Sequence, residues 1–187
     1  PNFWNSLKTT VFYSCMLVTV VILTSLFLAI SLNSLKWFKT FVKSIFFVPA
    51  MIGGVTIALI WDQLFYRVVP LIGQFLGIDW LSQSLLMTGK TALPAVVFVQ
   101  SWQAVAMPTV IFIAGLQQIP EEQYESAKID GATAFARFRY ITMPYLLPTV
   151  TVNLVLTIKQ GFTSFDSPYA LTGGGPVRAT EVIGILI

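Results

Sequence analysis

EEQYESAKIDGATAFARFRYITMP, residues 121–144, holds seven of the 19 charged side chains in a chain of 187 residues. The sequence around it is made mostly of Leu, Val, Ile, Phe and Ala. Thirty residues from Thr91 to Pro120 carry no charge, and neither do the 19 from Tyr140 to Ile158. Upstream lie two more such runs, 27 residues from Thr9 to Leu35 and 18 from Ser44 to Trp61. A hydrocarbon layer about 30 Å thick takes about 20 helical residues at 1.5 Å each, so every run is long enough, or nearly so, to cross it. The chain is only 10% charged and 56% hydrophobic, where an ordinary soluble domain is roughly 25% charged. These numbers predict an all-α integral membrane protein, one transmembrane domain over 1–187. Its spans fall at about 10–32, 45–61, 93–116 and 145–165, with another starting near Glu181 and the loop 120–144 between the third and fourth.

Alternatives to this class are weaker. Buried core helices of a large soluble protein would need amphipathic neighbours to shield them, and the sequence supplies almost none. The first run is too long for a signal peptide, has Trp4, Asn5 and Ser6 ahead of it, and is followed by further spans. The chain starts on Pro1 and stops within EVIGILI, so it is expected to continue at both ends. A formal charge of +3, scattered and without a Lys/Arg cluster among aromatics, excludes nucleic acid as a partner. The single cysteine, Cys15, sits in an apolar run and reads as packing; the absence of histidine removes the commonest metal ligand and general base.

Between the runs, Lys36, Lys39 and Lys43 form a basic turn, and Pro49, Gly53 and Gly54 interrupt the second span. DQLFYRVVPLIGQFLGIDWLSQS, residues 62–84, mixes turn residues with aromatics and predicts a loop lying at the membrane interface. Pro94 stands near the entrance of the third span and Pro108 predicts a kink within it. TGGGP at 172–176 reads as a turn-rich loop. Alternating spans put six Lys/Arg on the side of the basic turn and the charged loop, against Lys8, Arg67, Lys90 and Arg178 on the other. The positive-inside preference places the charged loop in the cytoplasm.

Within that loop, Pro120 suits a first helical position, and Glu121 and Glu122 follow where the helix dipole favours acids. Glu125 is within reach of Lys128 at a spacing of three, and Asp130-Gly131 reads as a stop. The resulting helix of about 10 residues is too short to cross a bilayer. A second helix over 132–142 sets Phe135, Phe138 and Ile141 along one face and turns Arg137 and Tyr140 away, with Pro144 marking the entry to the fourth span. Helix, glycine hinge and helix exceed what a plain connector needs.

Glu125-Ser126-Ala127, then three residues, Gly131, then nine residues and Ile141-Thr142-Met143-Pro144 resemble the E-A-A-x3-G-x9-I-x-L-P loop of permease subunits in bacterial ATP-binding-cassette importers. Ser126 replaces the first Ala and Met143 the Leu. GLQQIPEEQYESAKIDGA (115–132), LTGGGP (171–176) and FVPAMIGGVTIALIW (47–61) resemble the carbohydrate branch, in particular the first permease of maltose-type and multiple-sugar importers. The resemblance covers nearly the whole chain, as the second to fifth spans of a six-helix core plus the start of the sixth. It implies a multi-pass protein of the bacterial cytoplasmic membrane that carries a carbohydrate, an oligosaccharide by this likeness, without being an enzyme. The implied partners are a second, similar permease, two ATPase subunits, an extracytoplasmic solute-binding protein and membrane lipid. No cofactor is expected on this chain, since ATP and Mg belong to the ATPase. Glu125, Ser126, Ala127, Gly131, Ile141 and Pro144 are implied to form the coupling helix and its lever, which fit a cleft on the ATPase. Permeases for glycerol phosphate, amino acids and peptides share a related loop and stand as the alternative.

On a helical wheel Asn153, Thr157, Gln160, Gly161 and Ser164 fall within about 100° of one another, a polar stripe in the fourth span. Such a stripe either lines a wet pathway or joins helices, and the residues alone leave both open. The resemblance favours the first, because positions matching Thr157, Gly161 and Ser164 contact sugar in maltose-type permeases. Phe162 and Phe165 offer aromatic faces, and Gln100 and Gln103 in the third span are further candidates for the same route. Lys159 points about 120° off the stripe and shares a face with Asp166, predicting a pairing along one helix or a contact with another subunit. An intramembrane hydrolase using Ser164 and Lys159 is excluded by their separation of about 140° round the wheel. LTGGGPVRAT lacks the Lys-Ser/Thr of a phosphate-binding loop.

Overall fold

The computed structural model describes residues 2–34, 45 and 47–187. Lys36, Lys39 and Lys43, the predicted basic turn, lie outside the described residues. All regular structure among the described residues is helical. Three helices are long and apolar enough to cross a membrane, or four when a bent pair is taken as one span.

Helix α1 runs from Asn2 to Ser34, past both ends of the predicted 10–32. No Gly or Pro occurs within it and Lys8 is its only charge, so nothing in the sequence stops it. Helix α2 spans Gly54–Leu76. It is preceded by a helical turn at 47–51 and a break at Ile52 and Gly53. The second span therefore does not run unbroken over 45–61, and most of the expected interface loop is helix: α2 continues through Asp62, Arg67 and Pro70 to Leu76, where Gly77 caps it. A short 3-10 turn, Asp79–Leu81, then folds back on it.

Helices α3 (Gly89–Ala104) and α4 (Ala106–Leu116) meet at a 50° bend on Val105. Pro108 explains the position. It has no N–H for the carbonyl of Ala104, four residues back, and its ring crowds that carbonyl. The short helix α5 covers Glu121–Ile129, and α6 covers Ala134–Phe162. The second half of the charged loop is thus not a separate helix; it is the first two turns of α6. Pro144 lies inside this helix instead of at its entry. A π turn at Phe138–Thr142 makes this possible, with the Met143 N–H bonding Phe138 O five residues back. The wider turn spaces the proline ring from the carbonyl it would otherwise strike. Pro70 in α2 is accommodated identically, after a π turn at Leu64–Val68.

Helix α6 ends at Phe162, three residues before its predicted end, and Asp166–Thr172 form a new helix, α7. Asp166 and Lys159 therefore do not share a helix. A final turn of helix, α8, covers Ile183–Leu186.

Helix α1 is the packing spine, contacting α6, α4 and α3. Two apolar clusters form around it. Tyr13, Leu17 and Val21 meet Ile57, Ala58, Val96 and Val97 at one end; Ala29 and Leu32 meet Phe112, Ile113, Leu116 and Leu146 at the other. Among lipid-embedded helices such contacts stabilise through close van der Waals fit, which small residues permit. A Cβ on Gly161 would lie 2.6 Å from Ser14 Oγ and 3.1 Å from Ser14 Cα, so α1 and α6 touch there only because position 161 has no side chain.

Candidate functional site

Two regions stand out, joined by α6. The first is the loop around α5. Its helix has no buried residue. Pro120 is the N-cap, with extended backbone, so Glu121 and not Pro120 takes the first helical position. At the other end the Ala132 N–H bonds Ala127 O at 2.9 Å and the Gly131 N–H bonds Lys128 O at 3.1 Å. This pair is a Schellman stop and needs a left-handed residue, which Gly131 supplies with φ +75°. Thr133 then caps α6, its Oγ1 accepting from Ala136 N at 3.2 Å.

Two successive residues tie α5 to α6. Gln123 donates to the Tyr145 hydroxyl, and the Tyr124 hydroxyl shares a hydrogen bond of 2.8 Å with Thr142 Oγ1. Tyr124 also packs on the apolar cluster of Phe112 and Leu146. Glu125, Ser126 and Gly131 are exposed at the tip, and Ala127 is half-buried. Ile141 turns inward onto that cluster, while Pro144 is exposed on α6. Glu125 and Lys128 do not pair: among the described residues the one ion pair is Arg178–Glu181. Three side chains that motif spacing did not single out as contacts complete the surface. Ile129, Phe135 and Tyr140 are 87%, 75% and 76% exposed. Large apolar groups standing exposed among charges are a candidate contact surface.

The second region is a cavity of about 600 Å³ beside the bend between α3 and α4. Gln100 and Gln103 of α3, Thr157 and Gln160 of α6, and Ser164 just past its end all line it. Gln103 is partly committed, its Nε2 donating to Ile52 O at 2.9 Å and so satisfying a carbonyl freed by the break before α2. Thr157 donates to Asn153 O at 2.7 Å, and Ser164 shares a 3.0 Å hydrogen bond with Tyr13. Gln100 and Gln160 have no partner among the described residues. A polar group left bare in an apolar setting costs about 1–3 kcal/mol, so these amides call for water or a ligand.

The remaining stripe residues face elsewhere. Asn153 is fully buried and donates to Pro108 O at 3.3 Å, joining α6 to α4 at the bend. Gly161 lies against Ser14, as described above. Of the two aromatic candidates, Phe165 borders the cavity, stacked on Tyr169 at 5.1 Å, and Phe162 does not.

Asp166, Ser167 and Gly54 also line the cavity, and the helical wheel does not point to them. A wheel continued past Phe162 puts Asp166 on the far side of α6, but α6 stops four residues before it. The available signal was Asp166-Ser167-Pro168 itself, an acid and a proline two residues apart, which suits a helix start. Among the described residues no group of three Asp, Glu, Cys or His could hold a metal.

The comparisons with known proteins bear on the family and the fold. Residues 15–187 match the family described as the binding-protein-dependent transport system inner membrane component. The chain is 40% identical over 186 residues to the multiple sugar-binding transport system permease protein MsmF of Streptococcus mutans, all of this chain and 64% of that one. It is 34% identical to the trehalose/maltose transport system permease protein MalF of Thermococcus litoralis, over 99% of this chain and 63% of that one. The chain thus spans a little under two thirds of these relatives. A crystal structure of a bacterial ABC transporter that imports the acidic polysaccharide alginate has the same fold, with a TM-score of 0.81 at 22% identity over 98% of this chain and 66% of that one.

Proposed function

We infer the function from one premise: the chain belongs to the family of binding-protein-dependent inner-membrane transport components. It acts as a transmembrane permease subunit of an ATP-driven importer that carries a carbohydrate into the cytoplasm. The chain makes no covalent chemistry. It works beside a second permease, two ATPase subunits that bind ATP and Mg, and a solute-binding protein on the outer side.

One observation carries the reading. Helix α6 runs without a break from Ala134, beside the exposed loop, to Phe162, beside the cavity. Its 29 residues amount to about 43 Å of helix. Displacement of the loop by an ATPase therefore moves Thr157 and Gln160 in the cavity wall as one body with it. The Gln123 and Tyr124 hydrogen bonds keep α5 moving with the start of this lever. Around the cavity, neutral amides and hydroxyls suit a ligand rich in hydroxyls, and Phe165 offers a face for a sugar ring. The names of the relatives above, permeases for multiple sugars and for trehalose and maltose, favour the same substrate class.

The test is reconstitution of the intact complex, with its binding protein, in vesicles. Sugars should raise ATP hydrolysis above the sugar-free rate and accumulate inside. If glycerol phosphate, amino acids and peptides do so and no sugar does, the substrate class is wrong.

A further inference from the structure

We propose that Asp166 is a charge filter in the cavity: it selects neutral or cationic carbohydrates and rejects those bearing a carboxylate or phosphate. The inference rests on the permease reading and narrows its substrate class. Among the described residues lining the cavity, Asp166 is the one ionisable side chain. It has no ion-pair partner and no hydrogen bond there. Its neighbour Ser167 is 1% exposed, borders the same cavity, and has a hydroxyl with no partner. Asp166 thus leaves an unpaired carboxylate on a wall whose other residues are neutral.

The break before α2 makes room for this. A Cβ on Gly54 would stand 3.4 Å from Asp166 Cβ, 3.5 Å from Asp166 Oδ2 and 3.7 Å from Gln103 Oε1. The carboxylate and the free amide oxygen of Gln103 therefore converge over a position that presents only backbone. Both are acceptors. Two acceptors within reach of one position suit a ligand with several hydroxyls, which can donate to each. They repel an anion, whose oxygens bring further negative charge and no proton. Met107, Pro108, Leu156 and Phe165 complete the wall with apolar surface, while Asp166 itself is exposed, so dissolved salt reaches the carboxylate and screens the repulsion.

Binding to the purified complex, without the solute-binding protein, tests this. The probes are maltotriose and raffinose, each compared with the same sugar carrying one primary hydroxyl oxidised to a carboxylate. The wild type should prefer the neutral form, and the preference should shrink as salt rises from about 20 mM to about 500 mM. Asp166→Asn should cut the preference about tenfold, Asp166→Lys should reverse it, and Asp166→Glu should keep it. A preference equal in wild type, Asp166→Asn and Asp166→Lys, or one in the wild type that ignores salt, overturns the filter. If the wild-type complex binds no sugar and sugars do not stimulate its ATPase, the carbohydrate reading itself falls and takes the filter with it.

Discussion

The loop at one end of α6 and the cavity near the other are built from opposite materials. Around the loop, Glu121, Glu122, Glu125, Lys128 and Asp130 are all exposed, and none forms an ion pair. Around the cavity the polar groups are amides and hydroxyls, with one carboxylate. Charges on the loop remain hydrated until a partner arrives, so keeping them costs little. Within the membrane each unpartnered polar group is costly, and in the proposed function the free amides of Gln100 and Gln160 and the Asp166 carboxylate serve the solute; the unpartnered Ser14 and Ser101 hydroxyls and Asn153 Oδ1 lie away from the cavity. The proposed docking surface and the proposed passage thus differ in kind: exposed charges in one, neutral amides and hydroxyls with a single carboxylate in the other.

Breaking the joint at the loop should have the largest effect. Proline is fixed near φ −65° and cannot adopt the +75° of Gly131. It also removes the N–H bonded to Lys128 O. Gly131→Pro should return sugar-stimulated ATP hydrolysis to the unstimulated rate, and Glu125→Lys should do the same by reversing the charge offered to the ATPase. Membrane insertion should persist in both. Full stimulation in either variant would count against the loop as the coupling element.

Next comes the passage. Replacing Thr157 and Ser164 together by Leu should stop uptake while the complex still elutes intact; normal sugar uptake would reduce the cavity wall to helix packing. Gly161→Ala should act on stability and not on selectivity. Its Cβ would meet Ser14 at 2.6 Å, an overpacking that costs about 1–3 kcal/mol. The thermal midpoint of the solubilised complex should fall, and Ser14→Gly should restore part of the loss. An unchanged midpoint with altered sugar affinity would move Gly161 from the helix contact to the substrate route. Smallest of all, Tyr124→Phe removes one hydrogen bond to Thr142, worth about 0.5–1.5 kcal/mol. More ATP should be hydrolysed per sugar carried, with transport retained. A loss as complete as that from Gly131→Pro would make this bond, and not the continuity of α6, the main link.

Much of this organisation was written in the sequence, because charge and proline act locally. Charge-free runs mark α1, the α3–α4 pair and α6. Asp130-Gly131 marks the stop of α5, and Pro108 the bend. What the sequence concealed depended on neighbours. Asp62, Arg67 and Pro70 read as the end of a span, yet α2 continues through them because a π turn relieves the proline. Thr163, Ser164 and Phe165 include no Gly or Pro, so the wheel extended α6 past its true end and put Asp166 on the wrong face. A wheel also gives a direction without saying what stands there. Asn153 and Gly161 share an arc with Gln160, but α4 covers the first and α1 the second, and only Gln160 reaches the cavity. Close packing of one helix on another is a property of both, and a single helix does not disclose it.

The central claim is that α6 moves as one stiff body between the loop and the cavity. Spin labels at Phe135 and Val155, both exposed on α6, measure it directly in the intact complex with Cys15 replaced by Ser. Twenty residues of helix set the backbone separation at about 30 Å. The account predicts the same distance in the nucleotide-free and the ATP-trapped states. A change of more than about 5 Å, roughly one helical turn, would mean that the π turn at 138–142 bends during the cycle, and would contradict it.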